Sequence, residues 1–379
     1  MKVLIIATWY PSNRDPVAGV FVRDQVRALV TRHDVAVIAP HHLSLWPGIA
    51  IGQEDGATVV RPRFLIPPIR WFGWNRVSSL LYRAEVMRAY RSLTARWGRP
   101  DVIHAHVAFP GGWCAATISQ ADGIPVVVTE HTSAFAKRLR PRFRLAATKW
   151  TLDNVDARIA VSEGLRAQIH EAMGVDSDII ANAFDSDFFS PDGPPHDGMP
   201  VRFLTVGILS PHKGVDILFE ALRRLVDRGV DEWELVVGGD GPSRRDLEAQ
   251  AARLGIAGKV RFTGRLDREA VRDWMRWSDV FVLASRHENL PGVVAEALLT
   301  DRPVIATRCG GPEYMVPPDA GLLVPVEDPD ALSEALERAV RGGLRPAPGL
   351  ARAHAVASFS RERFLDEIDS LYRRIAHQA

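Results

Sequence analysis

Short apolar runs alternate with amphipathic segments along the first half of this 379-residue chain. The runs are KVLIIAT, DVAVIAP, DVIHAHV, PVVVTEH and ARIAVS, each of a length that suits a buried strand. Between the first two, FVRDQVRALVTR has apolar residues at positions 21, 22, 26, 29 and 30, which form the stripe of one helix face. Near-continuous Val and Ile runs separated by helices predict a parallel sheet that is covered on both faces.

The second half of the chain repeats this plan. Its predicted strands are VRFLTVGIL, WELVVGG, VRFTG, VFVLAS, PVIAT and GLLVP, and its predicted helices include DILFEALRRLVDRG, RRDLEAQAARLG and PGVVAEALLT. We therefore predict two Rossmann-like, doubly wound α/β domains, residues 1–185 and 186–360, with the boundary in the Pro-, Gly- and Asp-rich stretch 186–200. A last helix in residues 361–379 is a candidate to pack back on the first domain. Ligands of such sheets bind at the carboxyl ends of the strands, so two facing domains would place the site in the cleft between them.

Composition predicts a soluble cytoplasmic protein. Apolar residues make up 46% of the chain and charged residues 25%, as in ordinary globular proteins. No apolar stretch approaches the roughly 20 residues of a membrane-spanning helix, and the start MKVLIIATWYPS lacks the features of a signal peptide. Two cysteines, Cys114 and Cys309, give neither a disulfide framework nor a metal-binding spacing, which fits a reducing compartment.

The strongest chemical signal is the segment 285–311, SRHENLPGVVAEALLTDRPVIATRCGG. Glu288 ends a strand-to-helix turn, and Glu296 lies eight residues later, inside a helix predicted to start near Pro291 with Asn289 near its cap. The N–H groups at such a helix start bind phosphate, and Glu296 would accept hydrogen bonds from a ribose diol. The spacing alone is common and favours a surface helix with two solvated acids, so the surrounding residues decide.

With its surroundings, this segment resembles the retaining nucleotide-sugar glycosyltransferases of family 4, which have the GT-B fold. The resemblance runs from Ser285 through the two glutamates and Pro303 to GGPE (310–313) and GLLVP (321–325). Upstream, VGILSPHKGVDIL resembles the family's phosphate strand and loop, and GGDGPSRRDLE and VRFTGRL resemble its nucleotide-base loops. The first half has counterparts in WYPS, DPVAGVFVRDQVRAL, DVIHAHVAFPGG, VTEHTS, AVSEGLR and NAFDSDFFSP, so nearly the whole chain is covered in order.

The resemblance implies a metal-independent enzyme that transfers a sugar from a nucleotide-sugar to an acceptor with retention at the anomeric carbon. It implies that Lys213 contacts the donor diphosphate, that Glu288 touches hydroxyls of the transferred sugar, and that His131 lies at the reacting centre. These three are the predicted catalytic residues. The acceptor is expected on the first domain and the donor on the second, with the nucleotide-sugar as a substrate, no cofactor and no metal. The other residues that the resemblance implies for donor binding are Gly19, Gly207, Gly264, Arg265, Asn289, Leu290, Gly292, Val293 and Glu296.

Two of these residues have alternative interpretations or special requirements. His131 would orient a sugar hydroxyl or, as a neutral imidazole, take a proton, but it could instead be a hydrogen-bonded structural histidine. Gly19 lies between the first strand and the first helix, where the lack of a Cβ would let the backbone approach the phosphates closely.

The chain departs from the family pattern at two positions. Ile208 stands where the family usually has an arginine, so Arg265, Arg286 or His212 would have to supply that cation, or the donor is held differently. Asp301 stands where the family commonly has glycine, which predicts only an altered turn.

Two short motifs suggest a metal, but we favour other interpretations. Asp185-Ser186-Asp187 spells the D-x-D signature of the other large glycosyltransferase fold, yet it lies at the domain boundary in place of the family's N-G-V-D segment, so we interpret it as turn chemistry. His104 and His106 share one face of a strand. No third ligand is evident, so structural hydrogen bonding is the favoured interpretation.

Two stretches of the first half are strongly basic. Residues 61–99 contain nine arginines and a single acid, Glu85, and residues 137–149 contain six Lys or Arg and no acid. With Trp71, Phe72 and Trp74, the first stretch suits an anionic membrane surface, and a lipid-linked acceptor would place the protein on the cytoplasmic face. The alternative is a solvated helix face with a buried aromatic cluster. The net charge of +1 argues against nucleic acid.

Three other functions have to be distinguished from glycosyl transfer. A nucleotide-sugar epimerase of the same fold would act on a single substrate and would need acid and base groups around the sugar. A dinucleotide-dependent oxidoreductase is disfavoured because no G-x-G-x-x-G follows the first strand. A noncatalytic nucleotide-sugar-binding protein would release no nucleoside diphosphate. The sequence specifies neither the sugar nor the base nor the acceptor.

Overall fold

The computed structural model describes residues 1–12, 15, 17–39, 48–63, 76–133, 135–139, 142–192, 196 and 198–377. The chain divides into two compact units, Met1–Ala183 with Arg361–Ala379, and Phe184–Ser360. The division lies two residues before the expected boundary, and the last helix belongs to the first unit. Each unit is an α/β domain with one largely parallel sheet, as predicted from the alternation of apolar runs and helices.

The first unit is built on a sheet that continues the apolar runs of the sequence. Its strands are β1 (Lys2–Ala7), β2 (Asp34–Ile38), β3 (Gly48–Glu54), β4 (Ala57–Arg63), β5 (Val102–His106), β6 (Val126–Glu130), β7 (Ala157–Ala160) and β8 (Asp178–Ile179). Their order is β3-β4-β2-β1-β5-β6-β7-β8, so the chain changes direction across the sheet between β1 and β5. β3 and β4 form an antiparallel hairpin, which the apolar pattern did not predict.

Helices pack on this sheet, and the first of them does so through the face that periodicity predicted. They are α1 (Val20–Leu29), α2 (Arg76–Trp97), α3 (Trp113–Asp122), α4 (Phe135–Arg138), α5 (Arg142–Asp153) and α6 (Glu163–Met173). α1 buries Val22, Val26 and Leu29, three of the five apolar positions of the predicted stripe, and the other two are partly buried. The apolar side chains of β1 are fully buried, because helices cover both faces of the sheet.

The second unit repeats the architecture. Its strands are β9 (Val201–Val206), β10 (Trp233–Gly238), β11 (Val260–Gly264), β12 (Val280–Leu283), β13 (Val304–Thr307) and β14 (Gly321–Val324). They pair in parallel in the order β11-β10-β9-β12-β13-β14. The order reverses between β9 and β12, and the carboxyl ends of these two strands therefore flank the crevice where doubly wound sheets bind ligands.

Seven helices within the described residues surround this second sheet. They are α7 (Val215–Asp227), α8 (Arg244–Arg253), α9 (Arg268–Trp277), α10 (Gly292–Leu299), α11 (Pro312–Met315), α12 (Pro329–Val340) and α13 (Leu350–Phe359). Phe203, Phe219 and Trp233 are among the largest side chains in the core, and none exposes more than 1% of its surface.

The last helix, α14 (Arg361–Ala376), returns to the first unit and packs against α1. Tyr372 on its inner face is fully buried. Asp369, one turn earlier, accepts hydrogen bonds from the guanidinium of Arg32 and from the ring of His33, over 2.9 and 2.7 Å. The apolar inner face of α14 and the hydrogen bonds to Asp369 together hold the end of the chain to the first unit.

The two basic stretches of the first unit are only partly described. Arg70, Trp71, Phe72, Trp74 and Arg140 lie outside the described residues. No helix in the described ranges combines the length and the apolar character needed to cross a membrane.

Candidate active site

In the second unit, two of the predicted catalytic residues meet at the point where the sheet order reverses. Lys213 follows β9, and Glu288 follows the neighbouring strand β12. The ammonium of Lys213 donates to Oε1 of Glu288 over 2.6 Å, and the hydroxyl of Ser285 donates to the same oxygen over 2.9 Å. The side chains of Lys213 and Glu288 are 21% and 12% exposed. A paired, partly solvated carboxylate therefore lies at the crevice where a ligand is expected.

Gly214 fixes the turn that carries Lys213. The short 3-10 turn Pro211–Lys213 ends at Gly214, whose φ is +63°. A Cβ at this position would lie 1.9 Å from the carbonyl oxygen of Ala284, just beyond β12. Only glycine fits there, so the turn lies directly against β12 and its lysine reaches Glu288.

The segment that follows Glu288 is pinned to the next strand and leads into α10. The backbone N–H of Glu288 donates to the carbonyl of Cys309, and the N–H of Gly310 donates to the carboxylate of Glu313. The helix begins at Gly292, with Pro291 as its N-cap, so Asn289 lies near the cap, two residues before it, as expected. The side chain of Asn289 is buried.

The start of α10 has the features of an anion site. Because Pro291 has no polar side chain, its position at the cap gives the first amides of the helix no side-chain acceptor. Gly292 and Glu296 are four residues apart, so they lie on the same face of the helix. Val293 and Glu296 are partly exposed. A helix start of this kind favours negative charge.

Glycines shape the carboxyl ends of the strands on the other side of Lys213. A Cβ at Gly207, after β9, would touch the stem of Lys213 at 3.5 Å. Gly239, after β10, could not carry a Cβ, which would lie 1.9 Å from the carbonyl oxygen of Gly207. Gly264 ends β11 with a φ of +76°, and Arg265 beyond it is exposed. The residues predicted for phosphate and base contacts therefore follow adjacent strands.

Ile208 occupies the position where the family usually has an arginine, and its apolar side chain is 57% exposed. Of the three cations considered as its replacement, Arg286 is held by Asp216, through two hydrogen bonds of 2.9 and 2.8 Å, and by Glu327. Burial alone would raise the pKa of Asp216, but the Arg286 guanidinium outweighs it and lowers that pKa. Partial burial and the nearby Lys213 charge lower the pKa of His212, which is therefore neutral at pH 7. Arg265 is exposed and is the remaining one of the three.

In the first unit, His131 follows β6 and belongs to a chain of histidine rings. Its Nε2 lies 3.0 Å from Nδ1 of His106, which ends β5. Burial lowers the pKa of His131 to about 3, and a charge on His104 would lower it further. The ring of Phe21 lies 4.5 Å from that of His131, between centroids. Since Phe21 is in the first turn of α1, the start of this helix and His131 lie side by side.

His104 has the structural role that we favoured over a metal site. It is fully buried, its Nδ1 lies 2.7 Å from the hydroxyl of Tyr372, and its Nε2 lies 2.7 Å from the hydroxyl of Thr129. Burial lowers its pKa to about 3. Among the residues that the structure describes, no cluster of three or more His, Cys, Asp or Glu could hold a metal ion.

Sequence reasoning missed Glu130, which ends β6 and is 2% exposed. Its carboxylate accepts the backbone N–H groups of Ala108, His131 and Thr132 over 2.8 to 3.0 Å. The backbone on both sides of His131 is therefore fixed by one buried carboxylate. An acid directly after an apolar strand was the available signal.

Beside Glu130 is a cavity of about 120 Å³. Its wall combines hydroxyl groups, aromatic rings and one arginine, contributed by Thr8, Trp9, Val107, Phe109, Pro110, Glu130, Thr132, Phe135, Leu139, Arg144 and Thr148. It lies beyond the carboxyl ends of β1, β5 and β6, the edge of the first sheet where a ligand is expected.

Gly19 is required by the fold of the first unit. It has a φ of +73°, and a Cβ would lie 2.3 Å from the carbonyl oxygen of Trp9. The close approach is therefore to the chain itself, and the expected approach to a phosphate stays a prediction. Gly19 is the N-cap of α1.

Asp185 has the turn role that we assigned to the D-x-D sequence. Its carboxylate accepts the backbone N–H of Phe188 over 3.1 Å and lies 3.6 Å from the guanidinium of Arg268. Asp187 is exposed.

Models of two glycosyltransferase families match the chain. The model described as "Glycosyltransferase Family 4" matches residues 18–188, and the model described as "Glycosyl transferases group 1" matches residues 200–341. A proposed teichuronic acid biosynthesis glycosyltransferase, TuaC, of Bacillus subtilis is 30% identical over 360 residues, which are 89% of each chain. The phosphatidyl-myo-inositol mannosyltransferase of Mycolicibacterium smegmatis is 32% identical over 313 residues, 80% of this chain and 75% of that one.

The fold is also that of a solved structure with a bound nucleotide-sugar. The Anabaena protein HepE in complex with UDP-glucose superposes with a TM-score of 0.74 over 99% of this chain and 100% of that chain, at 18% identity. At this level of identity the likeness concerns the fold, and it agrees with the two parallel-sheet domains described above.

Proposed function

Because this chain belongs to the family 4-like glycosyltransferases of the GT-B fold, we propose that it transfers a sugar from a nucleotide-sugar with retention at the anomeric carbon and without a metal. The observation that carries the proposal is the Lys213–Glu288 pair beside the start of α10. Lys213 offers a cation, and the start of α10 offers backbone N–H groups, to a diphosphate at the point where the strand order of the second sheet reverses.

In the proposed donor complex, Lys213 and the amides of Gly292 and Val293 bind the diphosphate. Negative charge grows on the diphosphate as the glycosidic bond breaks, so the ammonium stabilises the transition state more than the bound donor. Gly207 supports the lysine stem, and Glu296 binds the ribose. The base contacts Gly264 and Arg265, and Gly19 approaches the phosphates.

Glu288 positions the sugar rather than attacking it. Its Oε1 already receives hydrogen bonds from Lys213 and Ser285, which stabilise the carboxylate and reduce its nucleophilicity. We propose that Glu288 binds hydroxyls of the transferred sugar, with Asn289 and Leu290 beside it, and that His131 contacts the same sugar. The nucleotide-sugar is a substrate, and the reaction uses no cofactor.

We place the acceptor on the first unit and propose that it is a glycan or a lipid-linked precursor at an anionic membrane surface. On α2, Val77, Leu80 and Leu81 are exposed by 65%, 41% and 46%, and they lie on one face because they are three and four residues apart. Arg88 and Arg91, farther along α2, are also exposed. Apolar and basic side chains together suit the interface of an anionic bilayer.

The donor assignment is tested by incubating the protein with a panel of nucleotide-sugars and measuring release of each nucleoside diphosphate. Lys213→Ala should lower kcat by about 10²–10³, because one contact to the transition-state charge is lost. Lys259→Ala is the matched control, since Lys259 pairs with Asp231 on the surface. A loss below tenfold in Lys213→Ala would show that another residue carries the charge.

Retention and metal independence have separate tests. The anomeric proton of the product, followed by NMR from the start of the reaction, should show the configuration of the donor. Turnover should survive EDTA, because Lys213 and the start of α10 act at the diphosphate. If chelation abolished turnover and Mg²⁺ or Mn²⁺ restored it, the assignment of Asp185 and Asp187 would have to change.

Membrane binding is tested by cosedimentation of the whole protein with vesicles of increasing anionic lipid content. Each Lys or Arg near such a surface contributes about 1 kcal/mol, so binding should weaken with salt. Leu81→Glu should reduce binding, whereas Ile51→Glu, at a 40% exposed position on β3, is the matched control. Equal binding of the two variants would exclude the α2 face, and no binding at low salt would favour a soluble acceptor.

A further inference from the structure

Arg286 contacts the turn that carries Lys213 through both its backbone and its side chain. Arg286 lies between β12 and Glu288, and its backbone N–H donates to the carbonyl oxygen of His212 over 2.8 Å. Its guanidinium donates from Nη1 to the carbonyl oxygen of Pro211. Arg286 therefore holds both residues that precede Lys213, and the proposed function gives it no role.

The same guanidinium holds the chain on the other side of Lys213. Asp216, in the first turn of α7, accepts from Nη1 and Nη2 of Arg286 with its two carboxylate oxygens, over 2.9 and 2.8 Å. Such a two-point contact fixes direction as well as distance. Pro211 and Asp216 are thereby tied to one planar group, and the short segment between them contains Lys213.

A third partner holds the guanidinium of Arg286 and completes its hydrogen bonding. Glu327, which follows β14, accepts from Nε and, over 3.3 Å, from Nη2. An arginine side chain has five N–H groups, and each of these has an acceptor: one in Pro211, two in Asp216 and two in Glu327. Two carboxylates surround one cation, so the cluster is negative overall. Arg286 therefore has no N–H left for a diphosphate, and its partners would repel one.

We propose that Arg286 is a positioning residue that orients the turn Pro211–Lys213, so that the ammonium of Lys213 reaches Glu288 and the donor diphosphate. This inference rests on the proposed function, in which Lys213 stabilises the charge that grows on the diphosphate. Gly214 lets the backbone of the turn approach β12, and Arg286 adds side-chain contacts on both sides of the lysine.

The exposure of the cluster decides which property should depend on it. The side chains of Arg286, Asp216 and Glu327 are 30%, 42% and 51% exposed. Ion pairs that are open to solvent contribute little to the stability of a fold. Loss of the cluster should therefore be seen in turnover and not in thermal unfolding.

The kinetics of Arg286→Lys test this expectation, because lysine keeps the charge but lacks the planar fork. We expect kcat for sugar transfer to fall about tenfold, as for a small displacement of a catalytic group, at an unchanged thermal unfolding temperature. Arg228→Lys is the matched control, since Arg228 is 36% exposed and pairs with Glu337 on α12, and its kcat should equal that of the wild type. A wild-type kcat in Arg286→Lys, or an equal loss in both variants, would overturn the proposal.

A double-mutant cycle separates positioning from a merely structural role. If Arg286 acts through Lys213, its replacement has nothing left to affect once the lysine is gone. In the Lys213→Ala background, Arg286→Lys should therefore change kcat by less than about twofold. A further tenfold loss in that background would show that Arg286 acts independently of Lys213, and the proposal would fail.

Asp216→Asn distinguishes positioning from direct binding of the diphosphate by the sign of its effect. The amide has one acceptor oxygen and no charge, so the turn should be held less firmly and kcat should fall. If Arg286 instead served the diphosphate, loss of this carboxylate would release the guanidinium to bind it. An unchanged or higher kcat, or a lower Kd for the nucleoside diphosphate, would contradict the positioning role.

A measurement without substrate separates the inference from the function on which it rests. The ¹⁵N NMR signal of the Lys213 ammonium is identified in the whole protein by its loss in Lys213→Ala. Its hydrogen bond to Glu288 slows the exchange of its protons with water, and Arg286→Gln should speed this exchange, whereas Arg228→Gln should not. Unchanged exchange in Arg286→Gln would refute the positioning role. If the wild type turns over no nucleotide-sugar, the proposed function fails, and the exchange rates still decide on Arg286.

Discussion

Acidification should destabilise the first unit because His104 has to stay neutral in the fold. Its pKa is about 3 in the folded protein and 6.5 as the ordinary value. Between these values the unfolded chain binds more protons, so the free energy of unfolding falls as the pH falls below 6.5. For His104 alone, this difference in proton binding lowers the free energy of unfolding by about 2 kcal/mol when the pH falls from 7.5 to 5.0.

The assay is hydrogen exchange of the β5 and β6 amides at pH 7.5 and 5.0, after correction for the intrinsic exchange rates. His104→Gln removes the titrating group and keeps a side chain that can hydrogen-bond to Tyr372 and Thr129. Between pH 7.5 and 5.0, the free energy of unfolding of this variant should therefore fall by about 2 kcal/mol less than that of the wild type. His170→Gln, at a side chain that is 63% exposed, is the matched control and should lose as much as the wild type. If the wild type and His104→Gln lose the same stability, His104 is not held neutral and the reasoning is wrong.

Three further outcomes are expected. Gly214→Ala should lower the thermal unfolding temperature and abolish donor turnover, because a Cβ there would lie 1.9 Å from a backbone oxygen. Gly258→Ala is the control and should do neither, because a Cβ at this position would meet nothing within 4 Å. Tyr372→Phe should reduce the stability of the first unit by about 1–3 kcal/mol, because Nδ1 of the buried His104 loses its partner, and denaturant unfolding that matches the wild type would contradict this. Glu296→Ala should weaken nucleotide binding by about 1.5–3 kcal/mol in calorimetry, and an unchanged affinity would remove the ribose assignment.

The periodicity of the sequence predicted the elements that lie in the cores, because their burial dictates their composition. Val22, Val26 and Leu29 of the α1 stripe and the apolar run of β1 are buried as predicted. Phe21 and Val30 of the same stripe are partly buried against this core. The β3–β4 hairpin was missed because it lies at the sheet edge, where Gly48–Glu54 is largely exposed and has no strong alternation. Its turn at Asp55–Gly56 is a typical hairpin signal that the apolar pattern does not include.

The candidate site was predictable only as far as its motifs are local in sequence. Lys213 and Glu288 were named separately, but their ion pair joins residues 75 positions apart and depends on the strand order. The sequence also did not predict that Arg286 forms ion pairs with two carboxylates, since Asp216 and Glu327 come from distant segments. Long-range partners of this kind follow from topology, which short motifs do not encode.

The return of α14 to the first unit has a consequence for how the protein is made. The ribosome completes the strands of the first sheet early, but Tyr372, the partner of His104, is synthesised 268 residues later. Until then the surface of α1 that packs against α14 is exposed to solvent, because the nascent first unit lacks this helix. We therefore expect the first unit to reach its native state only after the second has been synthesised. A fragment that ends near residue 185 would be an unfinished domain rather than an independent one.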